Sequence, residues 1–239
     1  MTELAFRTVL ALVAASSFAY TSYRFHLLSC SGAVAAGMLA LTLLFLGDPS
    51  WIVPGLTFFL SSSVLSFVGR DRKRSVSEKG SRRDAAQVLC NGGAAWLLLL
   101  LHAWEPNDVL YVGYLGAFAA AASDTWATEI GMLGRRPPRL ITTLKPAGTG
   151  TSGAVSAIGT AAALAGAALI WASSLPFSAQ PALVSVVGGG FAGSVLDSIL
   201  GATLQQKLRW MTNDVVNLAG TAFGAIVAMT CFGMAVFGF

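Results

Sequence analysis

AASDTWATEIGMLGRRPPRLITTLKPAGTGTSG, residues 121–153, starts as an apolar helix, acquires Asp124 and Glu129, and runs out into a basic loop rich in glycine. An apolar run from residue 109 leads into it, so both carboxylates belong to a segment of membrane-spanning length. An ionised Asp or Glu within such a helix costs about 2.5 to 3.5 kcal/mol on the insertion scale, so such residues line a cavity, bind a partner or do chemistry. No other stretch is as costly to place. The rest of the chain reads as what holds it in position.

Composition sets the class. Of 239 residues, 55% are hydrophobic and 11% charged, with a mean hydropathy of +0.69, where a soluble domain carries about 25% charged residues. The expected fold is all-α: a polytopic transmembrane helical bundle, one integral membrane domain over residues 1–239, solvated by the lipid bilayer. The net charge of +4 does not point to nucleic acid, because the basic residues fall in loops between apolar spans. Cys30, Cys90 and Cys231 have neither metal-site nor disulfide-framework spacing and read as packing residues.

Eight spans are expected, at about 4–20, 28–46, 51–68, 85–101, 109–131, 153–173, 182–204 and 215–237. GDPS at 47–50 marks a turn, and Trp51 opens the third span as an interfacial residue. The loops after spans one, three, five and seven carry all the inter-span Lys and Arg, including a basic run over 70–84; the other three loops carry none. By the positive-inside rule the basic loops are cytoplasmic and both termini lie outside.

That orientation gathers polar groups at one depth. A rise of about 1.5 Å per residue puts Asp124 roughly two-thirds of the way across span five, with Glu129 at the cytoplasmic interface. Asp197 sits toward the same end of span seven, and Asn91 and Asn217 lie near the cytoplasmic starts of spans four and eight. Ser123, Thr128, Ser198 and Gln205 accompany them. Gly189, Gly193, Asp197, Gly201 and Gln205 recur every four residues, a small-residue stripe that also carries a carboxylate. GAFAAAASDT at 116–125 echoes GGFAGSVLDS at 189–198, the trace of a possible internal repeat. Glycine stripes alone mostly pack helices, and Asn91 and Asn217 either orient ligands or tie helices together.

Carboxylates at a cytoplasmic face suit Mg²⁺, which takes one or two of them and fills its remaining positions with water and phosphate. Lys145 and the run Gly148, Thr149, Gly150, Thr151, Ser152 and Gly153 offer a cation, hydroxyls and accessible backbone N–H groups at the expected start of span six, where the helix terminus adds positive potential. This is not a Walker A loop, but joined to the carboxylates it points to phosphate.

SDTWATEIG at 123–131, PRLITT at 138–143, GTGTSGAVS at 148–156, DSILGATLQ at 197–205 and GSRRDAAQVLCNGG at 80–93 together resemble the transmembrane protein 19 family of integral membrane proteins, which includes the phytyl-phosphate kinases of vitamin E and phylloquinone synthesis. An acidic SDT segment followed by a Lys and a Gly/Thr-rich stretch is also distantly similar to the CTP-using membrane enzymes, phosphatidate cytidylyltransferases and polyprenol kinases, although GTGTSG stands where their signature has a Lys-Thr and Glu-Gly pattern. The resemblance implies a Mg²⁺-dependent kinase that uses CTP, or another nucleoside triphosphate, to phosphorylate an isoprenyl monophosphate such as phytyl phosphate. Asp124 and Asp197 would hold the metal, with Glu129 a further ligand or base. Lys145 and the 148–153 loop would cradle the nucleotide, and Arg82, Arg83 or Arg139 would balance the lipid phosphate unless they serve only to set topology. The competing readings are a transporter or channel built on the Asp124/Asp197 pair, and a non-catalytic scaffold.

Overall fold

The computed structural model describes residues 3–69, 82–177 and 182–238. The basic residues at 70–81 lie outside them. The described residues form eight helices: α1 Glu3–Arg24, α2 Cys30–Leu46, α3 Pro49–Phe67, α4 Ala85–Trp104, α5 Asp108–Gly131, α6 Ala157–Ser174, α7 Leu183–Thr203 and α8 Asn213–Phe237. A short antiparallel ribbon, β1 Arg139–Leu140 with β2 Ala154–Val155, interrupts the loop between α5 and α6. The all-α polytopic bundle is thus the fold. Six of the helices are long and apolar enough to cross a membrane, and α2 is a shorter apolar helix.

Local chemistry fixes the helix starts. Asp48 accepts from the Ser50 N–H at 2.7 Å and places Pro49 in the first turn of α3. Asp84 and Gln87 form a reciprocal capping box on α4, and Ser156 caps α6 through the Gly159 N–H at 3.2 Å. The sixth helix therefore starts at Ala157 and not at 153. Gly153 has φ +75°, and the next two residues pair with β1 before the cap.

α5 is the axis of the bundle. Every residue from Val112 to Ser123 is buried, and α3, α4, α6, α7 and α8 pack around it. Protein surrounds this helix where lipid surrounds the others, which is why it is built from Ala and Gly. A Cβ on Gly116 would come within 2.4 Å of Ala228, and one on Gly190 within 2.6 Å of Ala119. α1, by contrast, buries little of its surface and leaves Leu4, Phe6, Val9 and Leu10 exposed, a face suited to lipid tails.

Trp51 corrects one expectation. Instead of sitting at an interface it is 4% exposed, packed between Tyr111, Tyr114 and His102, while the Tyr114 hydroxyl donates to its carbonyl. The first turn of α3 leans onto α5, and the indole fills that seam. Trp104, at the end of α4, is by contrast 90% exposed.

Candidate functional site

The two echoing segments occupy matched positions in space. Gly116 of α5 and Gly189 of α7 both abut Gly224 and Ala228 of α8. One turn on, Ala120 and Gly193 both meet α8 near Gly220 and Gly224. One turn further, Asp124 and Asp197 come to the wall of one cavity. Close packing of small residues along three helices thus delivers two carboxyl groups to one point.

These carboxyls lie in the wall of a cavity of about 270 Å³. Its helical walls include Thr128 and Gly131 of α5, Gly159, Thr160 and Ala163 of α6, Ser194, Ser198 and Gly201 of α7, and Asn213 of α8; its roof is the loop from Thr149 to Ser156. Gln205 and Pro138 also line it. Among the described residues, no Lys, Arg or His belongs to that lining. Two carboxyl groups held together at low dielectric require either a shared proton or a cation between them.

Asn217 secures the pair. Its side-chain N–H donates to Asp197 Oδ2 at 2.9 Å and to the Asn213 carbonyl at 3.1 Å, so the amide orients the carboxylate and ties it to the first turn of α8. The roof is held as firmly. Gly150 and Gly153 have φ of +84° and +75°. A Cβ on Gly153 would lie 2.4 Å from the Ala202 backbone N and 2.5 Å from the Ser198 carbonyl. Gly201 leaves the space into which Gly153 descends, since a Cβ there would lie 3.0 Å from the Gly153 N. The glycine stripe thus serves two purposes: Gly189 and Gly193 admit α8, and Gly201 admits the loop.

Of the residues selected from sequence, Asp124, Thr128, Asp197, Ser198, Gln205, Asn217 and Thr149 to Gly153 come together here. The others do not line the cavity. Lys145 and Gly148 are exposed on the outer limb of the loop, and a Cβ on Gly148 would meet only Thr151 Oγ1 at 3.4 Å. Arg139 donates to the Leu144 carbonyl at 2.8 Å and braces the ribbon. Ser123 donates to the Ala163 carbonyl at 2.7 Å, joining α5 to α6. Arg82 bonds His26 at 2.6 Å. Glu129 turns the other way: it accepts from Ser66 Oγ at 2.8 Å and attracts Arg83. Asn91 donates to the Gln87 carbonyl at 2.9 Å and borders a second, apolar cavity, as does Arg83. Asn213 was not singled out from the sequence, although its spacing of four from Asn217 places both on one face of α8.

The described residues contain no cluster of three or more His, Cys, Asp or Glu suited to a metal. Two carboxylates and nearby amides match the sparse protein contribution that Mg²⁺ takes when phosphate and water complete its shell. The absence of cationic side chains among the described lining residues fits a site in which a bound cation supplies the positive charge.

Comparison with known proteins covers most of the chain. A family model described as "Integral membrane protein DUF92" matches residues 13–225. The chain is 36% identical to Protein PGR of Arabidopsis thaliana over 230 residues, covering 84% of this chain and 80% of that one. It is 32% identical over 202 residues to an uncharacterized membrane protein of Methanocaldococcus jannaschii, covering 84% of each. It is 29% identical over 216 residues to Protein VTE6, chloroplastic, of Arabidopsis thaliana, covering 84% of this chain and 64% of the relative. No solved structure matches.

Proposed function

We propose, from the premise that this chain belongs to the DUF92 family of integral membrane proteins, the transmembrane protein 19-like group, that it is a lipid kinase transferring a phosphoryl group from CTP or another nucleoside triphosphate to an isoprenyl monophosphate such as phytyl phosphate. The observation that carries this reading is the Asp124–Asp197 carboxyl pair under a glycine-rich roof, in a cavity with no cationic side chain among the described residues of its lining. The family resemblance supplies the lipid class.

The residues divide the work. Asp124 and Asp197 would hold Mg²⁺, which when bound screens the charge of the phosphates. Asn217 fixes the orientation of Asp197. Thr149, Thr151 and Ser152 present hydroxyls to the nucleotide phosphates, and Gly150 and Gly153 let the backbone approach where a Cβ would obstruct it. The acceptor is already an oxyanion, so transfer demands alignment and charge stabilisation and no strong base. Glu129, turned toward Ser66 and Arg83, has no part in proton transfer. Because the basic loops flank this end of the bundle, the active face is cytoplasmic.

A transporter or channel is the other reading, and the cavity's shape speaks against it. Its lining runs from the loop to Ala163 and Phe191, and beyond Asp124 the axis helix is buried among small and apolar residues back to Val112. The test is to incubate purified protein with Mg²⁺, each labelled nucleoside triphosphate and a panel of isoprenyl monophosphates. Labelled lipid diphosphate, formed with one nucleotide preferred, is the expected product. Absence of any labelled lipid with every pair, from protein that is folded, would overturn the reading.

A further inference from the structure

The second cavity, about 240 Å³, lies on the opposite side of α5 among α1, α2, α3 and α4. Its walls are hydrocarbon: Phe18 from α1, Leu39 and Leu43 from α2, Ile52 and Phe59 from α3, and Phe118 from α5. Its polar side chains, Arg83, Gln87 and Asn91, belong to the start of α4. On α2 the lining runs from Ala36 to Leu44, about 12 Å at about 1.5 Å per residue, and Leu28, paired with Arg83, carries it on past the start of that helix. The cavity is therefore long, apolar over most of its length, and cationic at the end nearest the basic loops.

That cation is built in. The Ser29 N–H donates to the Arg83 carbonyl at 2.9 Å, and the Arg83 N–H donates to the Leu27 carbonyl at 3.3 Å. Gly32 clears the space, since a Cβ there would come 2.2 Å from the Arg83 carbonyl oxygen. Burial pushes the Arg83 guanidinium down from its ordinary range, and the attraction of Glu129 draws it back up. An arginine nonetheless stays charged and offers five N–H donors, enough to serve Glu129 and a second anion together. Arg82 and Arg139 are committed to His26 and to the Leu144 carbonyl.

We propose that this cavity holds the hydrocarbon chain of a lipid monophosphate, with the phosphate on Arg83 and the chain running between α2 and α3 toward the opposite end of the bundle. The proposal rests on the lipid-kinase reading for the identity of the occupant: the cavity holds the lipid before transfer, and the transfer itself requires its phosphate to move to the nucleotide at the Asp124–Asp197 pair. Length suits an extended chain, the remaining N–H donors of Arg83 suit a phosphate, and α2, which packs on α1 and α4 but only thinly on α3, leaves a lateral way in from the bilayer.

The experiment uses the full chain in nanodiscs and geranylgeranyl monophosphate carrying a diazirine at the chain end, irradiated without nucleotide. Label is expected on α2 and α3 between residues 39 and 59. Excess unlabelled lipid monophosphate should abolish it, and the same concentration of inorganic phosphate should not. Ala40→Trp, which fills the cavity, should cut labelling at least tenfold. Arg83→Gln should lower labelling by the monophosphate about tenfold while leaving that by the uncharged diazirine alcohol within twofold, and Arg83→Lys should restore part of it. Equal labelling by monophosphate and alcohol in the wild type, or a label spread over α1 and α8 like that of a diazirine phosphatidylcholine, overturns the proposal. The two readings fail separately. Lipid labelling here without phosphoryl transfer to any acceptor sinks the kinase alone, and transfer with label elsewhere sinks the cavity assignment alone.

Discussion

Asp124 and Glu129 stand five residues apart on one helix, roughly 7.5 Å in rise and well over a quarter turn around the axis, and the protein treats them in opposite ways. Glu129 faces a serine and an arginine. Asp124 faces another carboxyl, in a cavity with no cationic side chain among its described lining residues. The first acid is balanced by Arg83, and the second has no cationic partner among the described residues. Charge alone does not mark a site; the difference in neighbours does.

The strongest way to break that contrast is to neutralise each acid in turn. Asp124→Asn and Asp197→Asn should each lower phosphoryl transfer by about 10³-fold, since each removes a ligand of the charge-stabilising cation. Glu129→Gln should cost at most about tenfold and act on thermal stability, because it strands Arg83. Steady-state turnover beside a melting curve separates the two outcomes, and equal losses in all three variants would abolish the distinction.

The loop glycines sharpen it next. Gly153→Ala combines a left-handed backbone with a collision against Ala202, strain of about 1–3 kcal/mol or more, and should raise the nucleotide KM most. Gly150→Ala, strained in φ alone, should be intermediate. Gly148→Ala, with ordinary space and no positive φ, should stay within about twofold. A KM series that failed to fall in that order would place the phosphates away from this roof.

Smaller effects follow from groups that support without touching. Asn217→Ala should lower kcat about tenfold through a loosened Asp197, with a lesser change in stability. Ser123→Ala should cost about 1 kcal/mol of stability by losing its bond to the Ala163 carbonyl, and should leave both KM values alone. Lys145→Ala, on an exposed limb, should change nucleotide KM by less than about threefold, and less still in high salt.

Much of this was legible before any fold was in view. Apolar spans with polar punctuation gave eight helices, because lipid demands long, internally bonded segments. The echo of GAFAAAASDT in GGFAGSVLDS pointed at the pair that meets. What the sequence could not convey was rotation about the helix axis. Asp124, Glu129 and Asn91 lie toward one end of the bundle but point in different directions, and direction depends on which neighbour each face packs against. Lys145 was chosen for its charge and its proximity in sequence to the glycines, yet the ribbon of Arg139–Leu140 with Ala154–Val155 turns it outward. That pairing rests on two residues per strand, too little pattern to read from a chain. Asn213 was passed over for the opposite reason: its polarity is ordinary at a helix start, and only its spacing from Asn217 marks it.

The most direct test of the contrast between the two faces is Mn²⁺ binding followed by electron paramagnetic resonance in the presence of CTP, comparing the wild-type chain with Asp124→Asn, Asp197→Asn and Glu129→Gln. The account predicts nucleotide-dependent Mn²⁺ binding in the wild type and in Glu129→Gln, and its loss in both aspartate variants. Retention by the aspartate variants, or loss in Glu129→Gln alone, would contradict it.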